Sequence, residues 1–195
     1  ASGYGDSGGN CTLCAAGEKN ENPNKMSSTC EKCEKGKSQN TTGKTSCDKC
    51  QEGKYSSTNG AISCTDCERG KYNDVKKGIR CVDCARGEYQ DETGGKECKE
   101  CPAGTAQPNT MSTYCDDCAS GHYQNERKET TCKKCATGKI VGVGTTKATV
   151  CTQCPLHHWS CHPDATGLYP PFEKCIGQTD CSACPAGTQN EPSKV

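Results

Sequence analysis

The chain has 195 residues, 22 of which are cysteine, and its formal net charge is zero. Only 30% of its residues are hydrophobic, cysteines included, so one conventional core cannot offset the conformational entropy that folding removes. Neutral, mixed charge excludes a field that would draw nucleic acid, and no apolar run is long enough to span a membrane.

Residues 1–10 are rich in Gly and Ser and predict a flexible leader or the tail of an upstream repeat. Two N-glycosylation sequons follow, Asn10-Cys11-Thr12 and Asn40-Thr41-Thr42, with Asn10 and Asn40 as the acceptors. A cysteine content above about 10% is typical of secreted disulfide scaffolds. Together these features predict an extracellular or cell-surface protein.

Residues 11–150 carry a tandem repeat defined by the pair C-x-x-C. After the first pair, Cys11 and Cys14, the spacing between successive pairs becomes constant at 17 residues. A fixed period of this kind indicates one small cross-linked unit copied along the chain. The pairs of the regular part open at Cys30, Cys47, Cys64, Cys81, Cys98, Cys115 and Cys132.

A second regularity lies inside each unit. Glycine stands three residues after the second cysteine, as in Gly53, which implies a positive φ or a close chain approach that a Cβ would block. Two residues later comes Tyr55, Tyr72, Tyr89 or Tyr123, or Ile140 in the matching place. Turn formers follow at Asn59-Gly60, Lys77-Gly78 and Gly94-Gly95. We expect each loop to be a short β-hairpin closed at its base by a disulfide, with the Tyr across the neighbouring disulfide.

Residues 151–180 form an elaborated repeat, and residues 181–195 begin a further one. The elaborated repeat contains the aromatic residues Trp159, Tyr169 and Phe172, which predict a small local core or, alternatively, a contact site for a partner. It also contains His157, His158 and His162, with Asp164 nearby. Three histidines this close could hold a metal ion, but we expect neither a metal nor a cofactor.

Two disulfide schemes fit the spacing. In an interlocked scheme whole pairs join, so that alternate repeats differ; in a chain-like scheme the second cysteine of each pair bonds the first cysteine of the next. The constant period shows no alternation and favours the chain-like scheme. The chain-like scheme leaves Cys154, Cys161, Cys175 and Cys181 to pair among themselves. It leaves Cys11 and Cys184 for partners outside the segment or in another molecule. The chain-like bonds are Cys14–Cys30, Cys33–Cys47, Cys50–Cys64, Cys67–Cys81, Cys84–Cys98, Cys101–Cys115, Cys118–Cys132 and Cys135–Cys151.

The motif C-x-x-G-x-Y-x(8)-C-x-x-C, as it stands from Cys50 through Gly53 and Tyr55 to Cys64 and Cys67, resembles a known module. It is similar to the opening loop of tumour-necrosis-factor-receptor cysteine-rich domains, and closer to the ephrin-receptor-like repeat that occurs in tandem in protist cysteine-rich surface proteins. The resemblance covers about Cys11 to Cys154 and resumes at Cys181. It implies the chain-like disulfide scheme and fixes no ligand.

Two intracellular interpretations compete with disulfides. The spacing C-x-x-C-x(13)-C-x-x-C suits tetrahedral zinc, but here consecutive pairs are shared without a break. The same C-x-x-C occurs in thiol redox enzymes, which need one exposed pair at a helix start rather than ten copies. Disulfide staples are the favoured interpretation, and no catalytic arrangement stands out, so we expect no enzyme.

The predicted fold is therefore small and disulfide-rich, mostly irregular with short β-hairpins, in an elongated linear array of about 17-residue repeats. The predicted function is structural: an extracellular, disulfide-stapled rod in a surface coat, stalk or filament, as part of a longer repeat array. Its expected partners are further copies or neighbouring repeats, and glycans; no nucleic acid or membrane span is expected. The alternative is a receptor or adhesin ectodomain that binds its ligand through Trp159 and Phe172.

Overall fold

The computed structural model describes residues 4–6, 11–21, 29–142, 144–154, 158–159 and 182–183. Within these residues there is no helix, and every regular element is a strand of two or three residues. The strands are β1 Tyr4–Asp6, β2 Cys11–Leu13, β3 Glu18–Lys19, β4 Glu31–Lys32, β5 Lys37–Ser38, β6 Asp48–Lys49, β7 Lys54–Tyr55, β8 Thr65–Asp66, β9 Lys71–Tyr72, β10 Val82–Asp83, β11 Glu88–Tyr89, β12 Lys99–Glu100, β13 Thr105–Ala106, β14 Asp116–Asp117, β15 His122–Tyr123, β16 Lys133–Lys134, β17 Lys139–Ile140, β18 Thr152–Gln153, β19 His158–Trp159 and β20 Ser182–Ala183.

Each odd-numbered strand pairs with the even-numbered strand that follows it. In the loop that starts at Cys50, for example, Lys54 pairs with Asp66 and Tyr55 with Thr65, antiparallel. The predicted disulfide-rich array of short hairpins is confirmed. From β4 onward, however, the second strand of each hairpin is the x-x dipeptide of the next C-x-x-C pair, so the hairpin extends past the disulfide-closed loop in which we expected it.

A tight turn brings the two strands together. In the loop that begins at Cys33, the amide of Lys37 donates to the carbonyl of Glu34 at 3.0 Å, and Gly36 between them has a φ of 78°. The amide of Cys50 then donates to the Gly36 carbonyl at 2.9 Å. A left-handed residue at the third place of such a turn favours glycine, which explains the recurring residue.

Contacts divide the chain into two compact units. The first comprises Ala1–Ala85, Tyr89–Lys99 and Met111–Thr113, and the second Arg86–Glu88, Glu100–Thr110 and Tyr114–Val195. Among the described residues the interior consists mainly of cysteines and small or amide side chains, with Ala106 and Val141 as further buried apolar residues. The described side chains with less than 2% exposure include Gln124 and eight cysteines, Cys14, Cys33, Cys50, Cys67, Cys84, Cys101, Cys118 and Cys135.

Candidate functional site

The repeat junction is the recurring structural site of this molecule. Positions are counted from the second cysteine of each pair, which is position 0. Three backbone hydrogen bonds join neighbouring repeats in both units. In the junction between the loops at Cys33 and Cys50, Gly36 at +3 donates to Ser56, Gln39 at +6 donates to Ala61, and Gly60 donates back to Cys33, at 2.9, 3.0 and 2.7 Å. The loops therefore satisfy their main-chain groups through the next repeat.

The junction bonds recur with little variation. The +3 amide binds the +6 carbonyl of the next repeat at 2.7–3.3 Å, from Gly17 to Gln39 through Gly121 to Val141. The +6 amide binds the next repeat at 2.9–3.1 Å, from Asn20 to Lys44 through Gln124 to Ala148. Because backbone groups make these bonds, side chains can vary at most positions without breaking the junction.

The +3 glycine also touches the repeat after next. A Cβ built on Gly53 would lie 2.1 Å from the carbonyl oxygen of Gly94, and one built on Gly70 would lie 2.3 Å from that of Met111. In the second unit a Cβ on Gly87 would lie 2.1 Å from the carbonyl oxygen of Lys128. Both expected reasons for this glycine therefore hold, a positive φ and a close approach of backbone. The approach comes from two repeats away, beyond the nearest neighbour.

Eight disulfides close the loops and follow the chain-like scheme, with Cα–Cα distances of 5.5–5.8 Å. Cys154 is also disulfide-bonded. In each of the eight bonds the second cysteine of a pair is buried and the first cysteine of the next is half-buried. The disulfides thus form a large part of the described interior, which explains how a chain so poor in large apolar residues keeps a defined structure.

A buried amide at position +6 was not predicted from the sequence. Gln39, Gln90, Gln107 and Gln124 are only 1–5% exposed. Each bridges the two sides of its own loop: Gln107 donates its Nε2 to the Tyr114 carbonyl at 2.9 Å, and its Oε1 accepts the Asn109 amide at 3.0 Å. The sequence signal for this role is a polar residue that recurs at position +6. It was missed because polarity by itself suggests a surface position.

Asparagine at the same position links two repeats. Asn73 donates its Nδ2 to the Lys54 carbonyl of the preceding repeat at 2.7 Å and to the Val75 carbonyl of its own loop at 3.0 Å. In the Lys77-Gly78 turn, the left-handed residue is Lys77, with a φ of 66°, and not the glycine. Gly78 is needed for space instead, because its Cβ would lie 2.0 Å from Asn73 Nδ2.

Charged side chains connect repeats two apart. Lys128 Nζ lies 2.6 Å from Glu88 Oε1 and 3.9 Å from Glu100 Oε1, and its hydrogen bond to Glu88 raises the pKa of Lys128. Glu34 Oε2 lies 3.1 Å from Lys37 Nζ and 3.4 Å from Lys77 Nζ. The hydrogen bond from Lys37, then that from Lys77, lowers the pKa of Glu34. These exposed pairs add little stability.

The tyrosines of position +5 are half-buried, and Asn40 of the second sequon is exposed. His158 and Trp159 lie in β19, where Trp159 pairs with Ser182. No group of three or more metal-ligating side chains occurs among the described residues. Predicted site residues that fall outside the described ones are Asn10, His157, Cys161, His162, Asp164, Tyr169, Phe172, Cys175, Cys181 and Cys184.

Among the residues with a described structure, no helix is long and apolar enough to cross a membrane.

The side chain of Cys11 is not described, although its backbone lies in β2 and pairs with Asp6 of β1. The structure therefore leaves the partner of Cys11 as a prediction.

Residues 70–118 match the family model described as tyrosine-protein kinase ephrin type A/B receptor-like. This segment carries ephrin-receptor-like cysteine-rich repeats. The tandem disulfides on both sides of it, from Cys14–Cys30 to Cys135–Cys151, fit further modules of the same kind. No curated protein matches the chain significantly.

The matched family is a non-catalytic extracellular module. Disulfides persist in oxidising compartments, and eight of them occur in the described part of this chain. Both observations indicate an extracellular or cell-surface module.

Proposed function

We propose that this chain is a structural extracellular protein, a disulfide-stapled segment of a surface coat, stalk or filament. The supporting observation is the junction, in which each repeat binds the next through the same backbone hydrogen bonds, as between Gly53 and Asn73 at 2.7 Å and between Ser56 and Gly78 at 3.0 Å. Such a junction can be repeated without limit, because each repeat presents the same donors and acceptors. An array built in this way becomes longer with each added repeat.

Burial of the cross-links supports the same role. One sulfur of each disulfide lies on a cysteine with almost no exposed surface, such as Cys67 and Cys84 at 0%. A reductant reaches this sulfur only after the repeat opens, which the junctions oppose, so attack on the closed repeat is confined to the half-buried partner sulfur. A durable extracellular spacer needs this protection.

A one-repeat deletion tests the proposal. Removing residues 67–83 joins Asp66 to Cys84, so the C-x-x-C spacing and the chain-like disulfide order are retained. We expect the variant to be secreted and oxidised, with its longest dimension in small-angle X-ray scattering reduced by one repeat. Native material should form fibres or a continuous layer in electron microscopy. An unchanged longest dimension in the deletion variant, or discrete compact particles, would contradict the structural role.

The second candidate is a receptor or adhesin ectodomain, favoured by the receptor-like description of the matched family. Its contact site would include Trp159 and Phe172. Trp159 occupies position +5, and its pairing with Ser182 has the register of Tyr55 with Thr65. Alanine at Trp159 or Phe172 separates the two candidates: lost partner binding by intact protein supports the receptor, and lost assembly supports the structural role.

A further inference from the structure

The loop from Cys33 to Cys47 differs from its neighbours at position +5. It carries Ser38, where the next three loops carry Tyr55, Tyr72 and Tyr89. The Ser38 hydroxyl lies 3.3 Å from the sulfur of Cys64, which belongs to the disulfide that closes the next loop. Position +5 of this repeat therefore faces a neighbouring disulfide, and a serine fills far less of that space than a tyrosine.

A cleft of about 300 Å³ lies at this place in the first unit. Its lining includes the polar residues Ser38, Asn40, Asp48 and Lys54 and the apolar residue Ile62. Ile62 is 59% exposed. Several hydrogen-bonding groups next to one apolar surface suit a sugar ring, which has hydroxyls at its edge and C–H groups on its faces.

Asn40 brings a source of that sugar to the cleft. It begins the sequon Asn40-Thr41-Thr42, and all three residues are exposed. The Thr41 hydroxyl donates to Asn40 Oδ1 at 2.9 Å, so the side-chain amide is ordered by its oxygen. Because Asn40 itself lines the cleft, a sugar on its Nδ2 starts at the edge of this space.

We propose that Asn40 is N-glycosylated and that the first sugar of the glycan occupies the Ser38 cleft. In the reaction, Asn40 Nδ2 bonds the anomeric carbon of a lipid-diphosphate-linked oligosaccharide supplied by the secretory pathway. The bond from that carbon to the diphosphate breaks, the diphosphate leaves with the electron pair, and Nδ2 loses one proton to a base of the transferase. The inference rests on the extracellular assignment of the proposed function.

The test uses the full chain secreted from eukaryotic cells. Peptide mapping should find a glycan on Asn40 in the wild type and in Thr42→Ser, which keeps the sequon, and none in Thr42→Ala. Mapping at the peptide level separates Asn40 from the other sequon. Secreted protein that has its disulfides but no sugar on Asn40 overturns the inference and leaves the extracellular assignment standing.

Occupation of the cleft is tested by the rate at which a glycan-cleaving amidase releases the sugar from native protein. We expect release at least tenfold slower than from denatured protein. Ser38→Tyr should fill the cleft and Ile62→Ser should remove its apolar surface, and each should speed native release several-fold while the disulfide map stays unchanged. Equal native rates in the wild type and both variants would overturn the cleft assignment.

Discussion

The loops 50–64 and 101–115 adopt the same backbone conformation with different side chains. Position +5 is Tyr55 in the first and Ala106 in the second, and position +10 is Gly60 and Met111, with φ values of 75° and 59°. Both keep the cysteines and the +3 glycine, with φ values of 79° and 86°. The comparison shows that the disulfide, the +3 glycine and the backbone hydrogen bonds of the junction determine the conformation of the repeat. Positions +5 and +10, in contrast, accept different side chains.

The same comparison, extended to the elaborated repeat, predicts its disulfides. Trp159 pairs with Ser182 in the register that accompanies a bond between the second cysteine of one pair and the first of the next. We therefore expect Cys154–Cys181, which leaves Cys161–Cys175 as a nested loop. Non-reducing peptide mapping should recover both bonds. Recovery of a Cys154–Cys161 bond would show that the elaborated repeat does not follow the disulfide scheme of the others.

Loss of a loop-closing disulfide should have the largest effect on stability. We expect the double variants Cys50→Ser/Cys64→Ser and Cys101→Ser/Cys115→Ser each to lose about 2–5 kcal/mol of stability. Without the cross-link, the unfolded loop has more conformational freedom. Hydrogen exchange of the loop amides measures the local opening free energy. A much smaller loss in one loop would show that the two repeats are not held in the same way.

Gly53→Ala should cost about 2–3 kcal/mol, because alanine is strained at this φ and its Cβ would meet the Gly94 carbonyl oxygen. Gly60→Ala is the matched control. It has a similar φ, but its Cβ would lie 3.3 Å from the Lys32 side chain, and Met111 occupies the same position in the other loop. Urea denaturation monitored by hydrogen exchange should show a clearly smaller loss of stability for the control. Equal losses would mean that the positive φ, and not the close approach of backbone, sets the cost of the substitution.

Gln107→Ala should cost about 1–3 kcal/mol, since it removes a buried amide that holds both sides of its loop. Ser56→Ala in the other loop should cost less, because the Ser56 hydroxyl donates a local hydrogen bond to the carbonyl of Thr58 at 3.2 Å, two residues away. Faster hydrogen exchange at the tips of both loops reports the losses. A larger cost at Ser56 would contradict the bridging role of position +6.

The smallest effect is expected for Glu34→Gln in the loop 33–47. The pKa of Glu34 is lowered in the folded protein by Lys37 and Lys77, so its charge stabilises the fold at neutral pH. That contribution is lost as the pH falls through the lowered pKa. The melting temperatures of wild type and variant should differ slightly at neutral pH and converge in acid. A difference that persists in acid would exclude the ion pairs as its cause.

Much of the repeat could be predicted from residues alone. The 17-residue period and the +3 glycine indicated disulfide-closed units and a positive φ at Gly53, which the structure has. The buried role of Gln107 could not be predicted, because an amide in a polar loop looks like a surface residue. Nor could the strand inside C-x-x-C, since charged pairs such as Asp48-Lys49 carry no strand signal of their own.

The sequence by itself determined the repeat period and the places where the backbone must turn, and it favoured one of two disulfide schemes, because cysteine spacing and glycine freedom are local properties. Only the tertiary structure decided which carbonyl each turn would meet. Gly53 faces Gly94, two repeats away, and Lys77 takes the left-handed conformation beside a glycine. The reason is that hydrogen bonds and close contacts between repeats depend on how loops stack, and no single loop contains that information.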